Sequence, residues 1–113
     1  MTTYAKDALP GGKDYYKVNP EAKRYTLRDN GFTESKNGSF HYERILSMHS
    51  GDKTAPRLKI IISRAIDELK LSTVTANGLK KIDLYKSEQL TEEKQFAENI
   101  IQTLVEGNVL IQA

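Results

Sequence analysis

The fold turns on residues 58–84, LKIIISRAIDELKLSTVTANGLKKIDL. Three apolar runs are separated here by two turn signals. Asn77-Gly78 is the strongest short hairpin signal, because a type I′ turn needs both central residues at positive φ. It sets Leu71 against Leu84 and Thr73 against Ile82. A four-residue turn at 65–68 sets Ile62 against Leu71 and Ile60 against Thr73. Both registers put Leu58, Ile60, Ile62, Leu71, Thr73, Ile82 and Leu84 on one face. A one-residue slip in either turn would send its strand's apolar set to the other face. Two turns that agree therefore predict a three-stranded antiparallel meander with one core face. The opposite face carries Lys59, Ile61, Ser63, Lys70, Ser72, Val74, Lys81, Asp83 and Tyr85. In these registers Val74 lies between Lys59 and Lys81, Ser72 lies between Ile61 and Asp83, and Tyr85 lies across from Lys70.

Upstream of the meander, Phe32 begins a hairpin. A two-residue Asn37-Gly38 loop would put Phe32 on the opposite face from Phe40 and Tyr42. A three-residue loop, Lys36-Asn37-Gly38 with Gly38 left-handed, sets Glu34 against Phe40 and Phe32 against Tyr42. All three aromatics then share a face, so the longer loop is predicted, with the second strand running to about Ser47. Before the hairpin, Asn19 as N-cap and Pro20 in the first turn predict a short helix over 21–29, closed by Asn30-Gly31. Short strands are expected on either side of Pro10-Gly11-Gly12. Residues 48–56 read as one long loop.

Downstream, residues 91–106 form the one long helical pattern. Thr91 is the candidate N-cap, and Glu92 and Glu93 complement the positive helix end. Phe96, Ala97, Ile100, Ile101, Leu104 and Val105 make an apolar stripe. The row Phe96, Ile100, Leu104 carries the larger side chains and is expected over the centre of the meander. Gly107 is the expected C′ stop, and residues 109–111 suit a last short strand.

The chain has 113 residues, short enough for one domain, 1–113, with one modest core. Folding should bury about two-thirds of its surface. No cysteine is present, which excludes disulfides, thiol catalysis and thiolate metal sites. The first residues are polar and charged, unlike a signal peptide. The longest aliphatic run, Ile60-Ile61-Ile62, is far short of a membrane span. A cytoplasmic protein is expected, without membrane contact.

Chemical motifs are sparse. His41 and Glu43 share a strand face, but two ligands do not make a metal site, and no metal is expected. No nucleophile motif accompanies His41. No glycine-rich phosphate loop occurs, and no cofactor is expected. Overall charge is only +2, but it is uneven. Residues 53–86 hold eight basic against three acidic side chains, net +5, while residues 91–113 hold one against four, net −3. The basic meander could hold anions. Single-stranded nucleic acid usually needs aromatic platforms as well, and this face offers only Tyr85, which weighs against a nucleic-acid partner.

The segment Tyr25-Thr26-Leu27-Arg28-Asp29-Asn30-Gly31-Phe32, the hairpin through Phe40-His41-Tyr42-Glu43-Arg44, the meander and the single C-terminal helix resemble a small lactic-acid-bacterial family, domain-of-unknown-function family 1831. The resemblance spans nearly the whole chain. It implies an α+β fold with two sheets against one main helix, and a link to amino-acid metabolism. It also implies a remote likeness to bacterial S-adenosylmethionine decarboxylases, which form a pyruvoyl group by self-cleavage at a Glu-Ser bond. Glu34-Ser35 is the only such dipeptide here. Lys36 follows it where those enzymes have histidine, so no catalytic residue is carried over and no self-cleavage is expected.

The predicted fold is thus α+β: an antiparallel hairpin and a three-stranded meander, in two sheets or one mixed layer, packed on one long C-terminal helix, plus a short N-terminal helix. The expected function is a non-catalytic accessory or ligand-binding module, linked to amino-acid metabolism through the resemblance, with His41, Glu43 and Arg44 as ligand-binding candidates and an amino-acid-like small molecule as ligand. The alternatives are an enzyme with an unrecognised site, or a weak nucleic-acid or anion binder through the meander. Lys59, Ile61, Lys70, Val74, Lys81 and Tyr85 form the candidate contact face of a monomer or weak homodimer. Three scattered apolar groups among lysines are too few for an obligate interface.

Overall fold

A computed structural model describes residues 3–9, 12, 14–46, 55–75, 80–81 and 91–113. In chain order these form β1 (Tyr16–Val18), α1 (Arg24–Asp29), β2 (Thr33–Glu34), β3 (Phe40–Ile45), β4 (Arg57–Ile62), β5 (Leu69–Val74), α2 (Thr91–Glu106) and β6 (Leu110–Gln112). The fold is α+β with two antiparallel sheets. One is four-stranded, in the order β2-β3-β4-β5, and the other pairs β1 with β6. The hairpin and the meander are therefore one layer, joined by β3 against β4.

The hairpin has the expected register. Glu34 pairs with Phe40 and Thr33 with His41. Gly38 is left-handed at φ +91°, and the Ser35 N–H donates to the Ser39 carbonyl at 2.8 Å across the three-residue loop. Phe32 and Tyr42 stack with ring centroids 5.2 Å apart.

The β4–β5 register differs from expectation by two residues. Ile62 pairs with Leu69, Ile60 with Leu71 and Leu58 with Thr73. The four-residue loop is 64–67, because the Ser63 hydroxyl organises it. That hydroxyl donates to Asp67 Oδ1 at 2.8 Å and accepts from the Asp67 and Glu68 N–H groups at 3.3 and 3.0 Å. An even slip preserves the buried face, so Leu58, Ile60, Ile62, Leu71 and Thr73 are all buried, and Leu69 joins them. Ile66 takes φ +58° within the loop. A β-branched residue adopts that conformation at a cost, which its packing against the core helps to offset. The Asn77-Gly78 turn, Ile82, Asp83, Leu84 and Tyr85 lie outside the described residues. Beside them, the Val74–Lys81 bridge has the register of the expected turn.

Helix α1 begins at Arg24 rather than at residue 21. Asn19 Oδ1 accepts the Glu21 N–H at 2.8 Å, and the Asn19 carbonyl accepts the Ala22 N–H at 2.9 Å. Asn19 thus closes a local turn in competition with the helix. At the new start, Thr26 Oγ1 accepts the Lys23 N–H at 3.2 Å. The C-terminus is a Schellman motif with Gly31 at φ +96°. The Phe32 N–H bonds Leu27 O at 3.0 Å and the Gly31 N–H bonds Arg28 O at 3.1 Å.

Helix α2 ends in the same motif, displaced by one residue from expectation. Asn108, at φ +64°, is the left-handed residue, and the Val109 N–H returns to Leu104 O at 2.9 Å. Gly107 is small for a different reason. A Cβ there would run into the Asn30 side-chain oxygen, at the junction of the two helix ends. The stripe of α2 is also rotated. Ala97, Ile101 and Leu104 are 0–2% exposed and Ile100 is 7% exposed, while Phe96 and Val105 pack only partly against the core. The seam therefore centres on Ile101 rather than on the Phe96–Ile100–Leu104 row. One cluster joins these residues to the inner sheet face, Phe32, Leu27 and β6.

Candidate functional site

The outer face of the four-stranded sheet is built by alternation along three strands. Pairing sets His41 beside Ile61 and Glu43 beside Lys59. It then sets Ile61 beside Lys70, Lys59 beside Ser72 and Arg57 beside Val74. The expected neighbours are corrected accordingly. Lys59, not Ile61, faces Ser72, and Val74 faces Arg57 rather than Lys59. The bridge from Val74 to Lys81 extends this face past β5.

A concavity of about 360 Å³ opens on that face, walled by His41, Glu43, Lys59, Lys70, Lys80 and Lys81. Its floor is Ile61, Ser72 and Val74, exposed by only 7–8%. Two groups of residues that the sequence presented separately meet here: the strand pair His41 and Glu43, and the face residues Lys59, Ile61, Lys70, Val74 and Lys81. Tyr85 lies outside the described residues. Arg44 is on the opposite face, paired with Leu58, and its guanidinium lies 5.7 Å from the centre of the Phe96 ring. Alternation on β3 alone separates it from His41 and Glu43.

The polar groups of the concavity are unequally engaged. Glu43 bonds Arg57 through Oε1 at 2.6 Å and approaches Lys59 through Oε2 at 3.8 Å. His41 Nε2 is 3.0 Å from Ser39 Oγ. Ser39 Oγ also lies 2.9 Å from Ser35 Oγ and 2.8 Å from Asn37 Oδ1, so the hairpin loop orients the imidazole. The Ser72 hydroxyl donates to the Lys59 carbonyl at 3.4 Å. Among the described residues, Lys70, Lys80 and Lys81 have no carboxylate partner within ion-pair distance. Among the described residues of the walls, four ammonium groups stand against one carboxylate, a net +3 before His41 is counted. Ser39 and Lys80 were not singled out from the sequence. The doubled Lys80-Lys81 was a visible signal for one, while Ser39 becomes relevant only in the three-residue loop register.

The Glu34-Ser35 pair is engaged in structural contacts, with Ser35 reaching His41 only through Ser39. Glu34 is clamped by Arg24 at 2.9 Å and Arg28 at 2.7 Å, and Ser35 Oγ bonds Asn37 Oδ1 and Ser39 O within its loop. Among the described residues, no group of three or more His, Asp or Glu is placed to hold a metal ion, and no helix is long and apolar enough to cross a membrane.

A crystal structure of a DUF1831 family protein from Lactobacillus plantarum superimposes with a TM-score of 0.90 at 27% sequence identity, over 100% of this chain and 99% of that one. No curated protein matches the sequence. The DUF1831 family, described as "Putative amino acid metabolism", matches residues 1–111. With nearly its whole length inside that match, the chain belongs to the DUF1831 family.

Proposed function

We propose that the protein is a non-catalytic module that binds a small organic ligand in the concavity on the outer sheet face, and that this serves amino-acid metabolism. The observation that carries the proposal is the convergence of His41, Glu43, Lys59, Lys70, Lys80 and Lys81 over an apolar floor of Ile61 and Val74. The volume, about 360 Å³, lies at the small end of the roughly 300–1,000 Å³ typical of ligand pockets. Polar walls around an apolar base are the usual design of such pockets. A binding role is favoured over catalysis because His41 is tied to a loop serine without an oriented third group, and Glu43 is held by Arg57 and Lys59. Among the described residues, this face presents no Phe or Tyr ring for base stacking, so a small ligand is favoured over a nucleic acid. The chain is read as one domain, since its core cluster draws on β1, α1, β3, β4, β5, α2 and β6, and as a monomer or weak homodimer.

The test is a thermal-shift screen of amino acids, organic acids and S-adenosyl compounds against the 113-residue protein. A ligand at one hundred times its Kd adds about 2.7 kcal/mol, so a clear rise in melting temperature is expected for at least one class. A matching response of Lys70→Gln would place binding elsewhere and overturn the assignment of this face.

A further inference from the structure

The charge state of the concavity narrows the ligand class, and this inference rests on the binding role proposed above. A zwitterionic amino acid needs an acceptor for its ammonium as well as donors for its carboxylate. Among the described residues, the only carboxylate in the walls is Glu43, and both its oxygens face cations, Arg57 at 2.6 Å and Lys59 at 3.8 Å. His41 Nε2 is taken by Ser39. The strand β4 in the middle is paired on both sides, so its carbonyls are committed to the sheet. Against this, Lys70, Lys80 and Lys81 have no carboxylate partner among the described residues. The described lining thus offers several cationic donors and no free anionic acceptor. A ligand ammonium would enter a net positive wall unpaired, which costs both desolvation and like-charge repulsion. A ligand with two anionic groups meets a separate ammonium with each.

The floor adds a second restriction. Ile61 and Val74 form a small apolar base between the lysines, and lysine stems lie readily along such surface. A short carbon skeleton fits over it, with its charged ends turned outward to the walls. We infer that the concavity binds a compact organic dianion, two carboxylates or a phosphate ester on a short carbon chain, in preference to a neutral zwitterionic amino acid. In an amino-acid-linked setting, such a ligand is the deaminated acid skeleton or a phosphorylated intermediate rather than the amino acid itself.

Calorimetric titration of the full chain with succinate, glycerol 3-phosphate, glutamine and leucine tests this, at low and at physiological salt. Succinate or glycerol 3-phosphate should bind at least tenfold more tightly than glutamine or leucine, and more weakly as salt rises. The better of the two anions identifies the carboxylate or the phosphate source. Lys70→Gln with Lys81→Gln should weaken the anion at least tenfold, with circular dichroism confirming the fold. Lys81→Gln alone, at an exposed position, should weaken it severalfold even if the double variant is unstable. Equal or tighter binding of glutamine or leucine would overturn the dianion preference and leave the binding role standing. Heat from none of the four would overturn both. Anion binding unchanged in a folded lysine variant would move the site off this face.

Discussion

Asn30 and Gly107 show how closely the two helix ends are fitted. Asn30 Nδ2 donates to Thr26 O at 2.8 Å and reaches Gly107 O at 3.5 Å, and its oxygen occupies the space that a side chain at 107 would need. Gly107→Ala should therefore cost about 1–3 kcal/mol by overpacking. Asn30→Ala in the same chain should recover part of that loss, a coupling that a double-mutant cycle in urea would measure. Additive losses would mean the two residues do not meet. Tyr16 carries a different constraint. Burial raises its phenol above the ordinary value of 10.0, and the Asp14 and Glu98 carboxylates push the same way. The folded state then holds the proton after the unfolded chain has released it. That stability is present below about pH 10 and is lost as pH rises through the higher folded value. Urea midpoints taken from about pH 9 to about pH 11 should fall more steeply for the wild type than for Tyr16→Phe.

Among the elements, α2 gives the sharpest test of packing. Its sequence stripe is wide enough to admit two neighbouring seams. Larger side chains favoured the row through Phe96 and Ile100, but the buried centre is Ile101, with Ala97 beneath it. Phe96 is drawn to the rim instead, under Arg44, and Ile100 lines the adjoining groove. Ile101→Ala should cost about 2–5 kcal/mol, and Ile100→Ala should cost less. Urea unfolding with an unchanged slope would report both as core truncations. A larger loss at Ile100 would restore the row expected from side-chain size. In the sheet, the β4–β5 turn makes the same point about small differences. One serine hydroxyl moves the loop by a residue at each end, and the face survives because the resulting slip is even.

At the scale of the molecule, neither Glu34 nor Ser35 lines the concavity, and Ser35 touches its wall only through the Ser39–His41 contact. Glu34 is bridged to two arginines of α1, Arg24 and Arg28, and Ser35 serves the hairpin loop. Purified protein should show the intact mass of the 113-residue chain. Two fragments divided between Glu34 and Ser35 would reinstate pyruvoyl chemistry. The concavity itself depends on assembly. Its β3 wall and its β4–β5 wall are separated in sequence by residues 46–56, and only sheet pairing brings His41 within reach of Ile61 and Glu43 beside Lys59.

Among the described residues, the amino-acid sequence by itself determined the hairpin register and the core-facing residues of β4 and β5 apart from Leu69, because side-chain alternation and left-handed glycines act over a few residues. It also marked His41, Glu43 and the lysine-bearing face as separate features. It did not determine that they adjoin, since pairing between strands far apart in sequence is decided by which edges the core leaves available. The same holds for the α2 seam, where neighbouring rows compete within one stripe; Arg44, by contrast, was separable by strand alternation alone. Its place beside His41 and Glu43 in sequence suggested a shared site, while the pleat sends it to the opposite face. Local geometry decided what each segment could be; only the closed sheet, with the core packed on one side, decided which charges would stand together on the other.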